Sequence, residues 1–156
     1  MRVLRRWTGD QRGAALVWVS IFVLAFVAFM GIALDTGRAY VYRARVQAAV
    51  DAAALAAAQD AQVTLTMDAH GTIFDQAVFI EPQTAQADAQ ATFAANMAWS
   101  LNPAARVTPG QFTVTVTGSR VQVVAEFTMD TMFMRAIGSA FKTLPVNARA
   151  TAVVVY

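Results

Sequence analysis

From Gly13 to Leu34 no side chain is charged: Gly13 is followed by AALVWVSIFVLAFVAFMGIAL. A helix needs about 20 apolar residues, at 1.5 Å rise each, to cross roughly 30 Å of hydrocarbon. The run meets that length between Arg12 and Asp35. A secretory signal has a shorter apolar core, about 7 to 15 residues, and then a small-residue cleavage site. Asp35-Thr-Gly-Arg-Ala-Tyr offers no convincing one. The core helix of a soluble domain is usually shorter and less completely uncharged. The expectation is a retained single span over residues 13–34, with the rest of the chain hanging from it.

Charge is distributed around that run. The formal net charge is +2, but in residues 1–45 seven arginines oppose Asp10 and Asp35, whereas in 46–156 five basic residues oppose eight acidic ones. The basic residues bracket the apolar run instead of lining a soluble face, so nucleic acid is not an expected partner. Arg2, Arg5, Arg6 and Arg12 precede the run, while Arg38, Arg43 and Arg45 follow it. The bias favours a short cytoplasmic N-terminus and an exported C-terminal portion. Trp7 and Trp18 on one side, and Tyr40 and Tyr42 on the other, suit the two membrane interfaces. The chain has no cysteine, which excludes disulfides, thiol catalysis and cysteine-based zinc sites.

The chain divides into a basic N-terminus (1–12), the span (13–34), an Ala-rich helical extension (35–60), a connector (61–84) and a small α+β domain (85–156). Residues 38–60, RAYVYRARVQAAVDAAALAAAQD, hold no Pro or Gly and are dominated by alanine, the best helix former. A helix from Ala14 to Gln59 is about 69 Å long at 1.5 Å per residue, more than a bilayer needs. Val46, Val50, Ala53, Ala54 and Ala57 share one of its faces, with Arg43, Gln47 and Asp51 at the edge. That stripe of small side chains calls for a packing partner.

In the connector, His70-Gly71 reads as a turn and Glu81-Pro82 as a break, with short strands around an Asp75-Gln76 turn between them. Residues 85–101 read as a helix ended by Asn102-Pro103. Phe112, Val114 and Val116, then Val121, Val123, Ala125 and Phe127, alternate with mostly polar residues around Gly118-Ser119, the pattern of a hairpin with a II′ turn. Asp130 is placed to cap a short helix over 131–140. Pro145 separates that helix from a last strand, 146–156. The fold class is α+β: a long N-terminal helix and an antiparallel sheet of about three strands with short helices.

Candidate chemistry is sparse. His70 is the sole histidine and sits beside a turn glycine, and a triad or metal site needs partners that the sequence does not place. No phosphate-cradling GxxxxGK[ST] loop exists. Met129, Met132 and Met134 interleave with Phe133, the composition of a malleable apolar surface more than of a soft-metal site. No catalytic residue, metal or cofactor is expected. Asp35 and Arg38, three apart at the end of the run, are positioned for an ion pair at the membrane edge or a contact between neighbouring helices. Ala33 and Gly37 form a small-xxx-small pair at the same depth, which favours helix association and hence a homo- or hetero-oligomer.

Arg12-Gly13-Ala14-Ala15-Leu16-Val17, the apolar run, Asp35-Thr36-Gly37-Arg38-Ala39-Tyr40, and Gln47-Ala48-Ala49-Val50-Asp51-Ala52-Ala53-Ala54-Leu55-Ala56 follow one another in order. Over about residues 11–58 this resembles the N-terminal signature of the TadE/TadG-like family of Flp (tight adherence) pilus assembly proteins: R-G, a hydrophobic helix, D-x-G-R-x-Y, and L-Q-x-A-x-D-A-A-A-L-A. The resemblance implies a bacterial inner-membrane, single-pass protein with an extracytoplasmic C-terminal domain. Its partners would be other Tad/Flp assembly proteins or pilin subunits. In the TadE-like branch a prepilin peptidase cuts after the glycine, and a glutamate holds the fifth position of the mature helix. Counted from Ala14, that position is Trp18, so a Gly13–Ala14 cleavage site departs from the pattern. D-x-G-R and D-A-A-A-L-A fit the TadG-like branch better, while the von Willebrand A-like metal motif of large TadG-type proteins is absent. The expectation is a non-enzymatic, membrane-anchored protein assisting Flp/Tad pilus assembly or anchoring. The alternatives are a processed minor pseudopilin and a signal-anchored envelope ligand-binding or sensory protein.

Overall fold

The computed structural model describes residues 11–155. Arg2, Arg5, Arg6 and Trp7 of the expected cytoplasmic segment, and Tyr156 of the expected last strand, lie outside these residues. Helix α1, Gln11–Gln59, is unbroken over 49 residues, as its lack of proline and its alanine content require. It is followed by strands β1 (Ala61–Met67) and β2 (Ile73–Ile80), helix α2 (Pro82–Asn96), and strands β3 (Val107–Thr117), β4 (Arg120–Asp130) and β5 (Thr143–Val153). Strands β1 and β2 form a two-stranded antiparallel sheet, and the other three form an antiparallel sheet in the order β3-β4-β5.

The connector is therefore a hairpin. Its turn lies at Asp68–Thr72, because the Asp68 carboxylate accepts the N–H groups of His70 at 2.9 Å and Thr72 at 2.8 Å. Asp75 and Gln76, expected to form the turn, are inside β2 opposite Thr66 and Leu65. Helix α2 starts at Pro82, since proline fits the first helical position where no N–H partner is needed. It ends at Asn96, and 3₁₀ turns cover 98–101 and 103–105.

The β3–β4 hairpin turns at Gly118, whose φ of 59° supplies the left-handed position such a turn demands. Pro145 does not precede the last strand; it pairs with Thr128 inside β5. It is tolerated there because β5 is an edge strand. The helix expected over 131–140 does not form. Asp130 ends β4 opposite Thr143, and residues 131–142 make a loop with two 3₁₀ turns, Met134–Ala136 and Ser139–Phe141.

One core joins these elements. On α1, Val46, Ala49, Val50, Ala53, Ala54 and Ala57 are buried with Ala85, Ala89 and Phe93 of α2, alternate residues from Val121 to Met129 of β4, and Val146, Ala148 and Ala152 of β5. The alternation read on either side of Gly118 holds: Phe112, Val114 and Val116 of β3 are half-buried, and in β4 Val121, Val123, Ala125 and Phe127 point inward and Glu126 outward. Phe93 stacks on Phe112 with ring centroids 4.4 Å apart. The stripe on α1 thus finds its packing partner within the chain. Its alanines let the α2 backbone and the sheet approach closely, which larger side chains would prevent.

Candidate functional site at the helix–head junction

Where the apolar run ends, Asp35 is completely buried. Its two carboxylate oxygens accept three backbone N–H groups from the loop after β4: Met132 to Oδ1 at 2.9 Å, and Phe133 and Met134 to Oδ2 at 2.8 Å each. The N–H groups that would have opened a helix at Asp130 are drawn onto this carboxylate instead. Burial pushes its pKa upward, but the three amide donors and the nearby Arg38 charge outweigh burial and hold it below the ordinary carboxylate value. The loop is closed at its base by Thr131, whose Oγ1 donates to the Phe141 carbonyl at 2.6 Å. One turn below Asp35, Gly31 lies so close to Phe133 that a Cβ at Gly31 would stand 2.7 Å from the Phe133 Cβ.

Above Asp35 a ladder of cations and rings fixes the next turns. The Arg38 guanidinium lies 5.7 Å from the Tyr42 ring centre, and Tyr42 stacks on Trp99 at 5.3 Å. Arg45 in turn lies 5.3 Å from the Trp99 ring centre. Gln47 donates to Asp51 at 2.8 Å and to the Arg149 carbonyl of β5 at 2.9 Å, tying the helix to the edge strand. Ala33, Leu34, Gly37, Arg38, Val41 and Tyr42 line an open groove of about 570 Å³ on α1. Ala33 and Gly37 are thus exposed on α1, Tyr40 is 76 % exposed, and Gly13 and Ala14 are exposed near its start.

The stretch that supplies Asp35, Arg38, Tyr42, Gln47, Asp51 and the alanine stripe has recognisable relatives. Residues 13–60 match the family model for putative Flp pilus-assembly TadE/G-like proteins. This segment is similar to that family. The remainder of the chain, from Ala61 onward, lies outside the match, and comparison with curated proteins and with solved structures gave no match.

Within the matched segment the residues singled out from sequence fall into three groups besides the Gln47–Asp51 pair. Asp35 and Arg38 stand three residues apart on α1, and the Asp35 carboxylate is bonded to the loop after β4. Ala53, Ala54 and Ala57 are covered by the chain's own α2 and sheet. Ala33, Gly37 and Tyr40 remain on the surface. Sequence reading missed Met132, Phe133 and Met134 as the partners of Asp35, about a hundred residues away. Their backbone amides, not their side chains, do the binding. The available signal was a lone aspartate ending an apolar run, a place where a charge needs donors.

The first part of α1 has the length and composition of a membrane span, and its most apolar window is only 6 % buried. Among the described residues no group of three or more histidine, cysteine or acidic side chains is placed to hold a metal ion.

Proposed function

We propose that this chain is a non-enzymatic, membrane-anchored component that assists assembly or anchoring of Flp/Tad-type pili. The observation that carries this reading is the Tad segment itself, in which the most distinctive charged residue, Asp35, clamps a folded head to the end of an apolar helix. In this mechanism residues 13–34 of α1 cross the inner membrane. The C-terminal half of the same helix is built into the head, and the two move as one rigid unit. Force or position set in the membrane is thereby passed to the head without a hinge, since α1 is unbroken through Asp35. Surfaces left for other assembly proteins or pilin subunits are the groove beside Ala33 and Gly37 and the β1–β2 hairpin, where Val63, Leu65, Met67 and Ile73 are exposed.

A clean deletion is expected to abolish or sharply reduce surface Flp pili, with restoration by the wild-type chain and not by a head-only fragment. Normal piliation in the deletion strain overturns the proposal. A second reading, a processed minor pseudopilin, draws on Gly13 and Ala14, both exposed near the start of α1. Mass spectrometry of the mature N-terminus separates the two, because a chain beginning at Ala14 is a processed subunit and an intact N-terminal segment is a permanent anchor.

A further inference from the structure

The loop between β4 and β5, Thr131-Met-Phe-Met-Arg-Ala-Ile-Gly-Ser-Ala-Phe-Lys142, carries five large apolar side chains and lies against the apolar run at Gly31. We propose that it is a lipid-contacting foot. Phe133, Ile137 and Phe141 would enter the leaflet from which α1 emerges, and Arg135 and Lys142 would reach the phospholipid phosphates. This rests on the anchoring of α1 proposed above.

Four observations converge on that occupant. The first is depth. Phe133 packs on Gly31, and Gly31 lies three residues inside the end of the run at Leu34, about 5 Å at 1.5 Å per residue. The three bonds to Asp35 fix the loop at that level, so a span across 13–34 carries the loop into the bilayer boundary.

The second is exposure: Met132, Phe133, Ile137 and Phe141 are 44, 47, 57 and 45 % exposed, apolar side chains left open to solvent among the described residues. The third is charge. Arg135 and Lys142 are both exposed, and no acidic residue occurs between Thr131 and Lys142, which suits phosphate oxygens beside an apolar layer.

The fourth is the backbone. Hydrocarbon tolerates only peptide groups bonded within the protein. Eight of the twelve N–H groups in this loop meet that demand: those of Thr131, Ala136, Ile137, Phe141 and Lys142 donate to carbonyls of the loop itself, and those of Met132, Phe133 and Met134 donate to Asp35, so only side chains enter the apolar layer and the 138–140 backbone stays at the level of the headgroups. The hairpin tip at the far end of the sheet is different, with Thr115, Thr117, Ser119, Arg120 and Gln122 on its surface.

The chain has no cysteine, so single substitutions give single spin labels. Full-length Ile137→Cys, Phe141→Cys, Ser119→Cys and Phe26→Cys would each carry a nitroxide, at one protein per phosphatidylglycerol/phosphatidylcholine nanodisc. Labels at 137 and 141 should relax several-fold more with oxygen than with a water-soluble nickel chelate, as the label at 26 does, while the label at 119 shows the reverse. Nickel access at 137 and 141 equal to that at 119 overturns the foot. Protection from both reagents also overturns it, since the loop is then covered by protein. If 26 itself is open to nickel, the anchor reading falls and the foot with it. If 26 is lipid-exposed and 137 and 141 are not, the foot alone falls.

Discussion

The two halves of helix α1 share one backbone and opposite surroundings. From Leu16 to Met30 its large side chains stand 51 to 73 % exposed. From Val46 to Ala57 one face is buried to within 2 % of completeness. Helix propensity does not separate the halves. Side-chain size does: Phe, Leu, Ile and Val where the neighbour is to be lipid, Ala where it is the backbone of the chain's own head. Large side chains gain from any apolar medium, whereas alanine contributes little on transfer and is useful where two backbones must meet closely. Asp35 marks the change of regime.

The comparison breaks most easily at Asp35. Hydrogen bonds to a charged group contribute about 1.5–3 kcal/mol each, and deleting one partner strands the other. Asp35→Ala leaves three N–H groups without their acceptor, so we expect the head to lose on the order of 3 kcal/mol or more of stability. Urea unfolding of the detergent-solubilised chain, followed by proteolysis near Arg135, measures it. A loss no larger than that of a surface change such as Gln122→Ala would show that the clamp is incidental. The pH dependence has a definite sign. The folded pKa is lowered, so the stabilisation is present above the unfolded value and is lost as pH falls through the folded value. Wild type should therefore weaken on acidification below the usual carboxylate range, and Asp35→Asn should flatten that slope.

The halves should also respond differently to one substitution. Ala57→Leu forces three extra carbons into a fully buried site, and overpacking of this kind costs about 1–3 kcal/mol. Ala25→Leu, on the exposed apolar half, should leave stability in detergent within about 0.5 kcal/mol of wild type. Equal effects at the two sites would mean that the stripe is not packed as described.

Glycines at the border sharpen the contrast. In a helix interior Gly→Ala usually stabilises by about 0.5–1 kcal/mol. Gly37→Ala meets open space and should show that gain, but Gly31→Ala brings a Cβ to 2.7 Å from the Phe133 Cβ and should lose it or reverse it. Thermal unfolding of the two variants side by side is the test, and a gain at Gly31 would place the 131–142 loop elsewhere.

How far these regimes were legible follows from the range of the interactions. The unbroken α1, the Gly118 hairpin and the inward face of β4 and β5 rest on periodicity and turn chemistry within a few residues, and they were readable. The alanine stripe was visible as a face that required a partner. That the partner is α2 and the β-sheet depends on closure over many residues, which no local pattern encodes. Asp130 looked like a helix cap because its neighbours are polar and apolar in the right order. The competing acceptor, Asp35, is remote in sequence, and it takes the amides that the helix would have used. Pro145 misled for the opposite reason: its restriction is real, but an edge strand has no need of its missing N–H.

Asp60, at the other end of the head-bound half of α1, provides the smallest and most discriminating test. It mirrors Asp35 in position and inverts it in chemistry. Its Oδ2 is buried without a hydrogen-bond partner among the described residues. Burial, then the charge of Asp88 and a hydrogen bond shared with it, raise its pKa. A raised folded pKa means that the native state holds this proton more tightly than the unfolded chain, so the head is penalised as pH climbs through the folded value. Asp60→Asn removes the charge without changing the shape. It should raise the melting temperature slightly at pH 7 and leave it unchanged in acid, where the wild-type carboxyl is already protonated. Asp35→Asn should lower it at pH 7. Two aspartates bracketing one helix segment would then respond with opposite signs to the same substitution, as they must if the amide donors at Asp35, and not burial alone, set the stability of the junction.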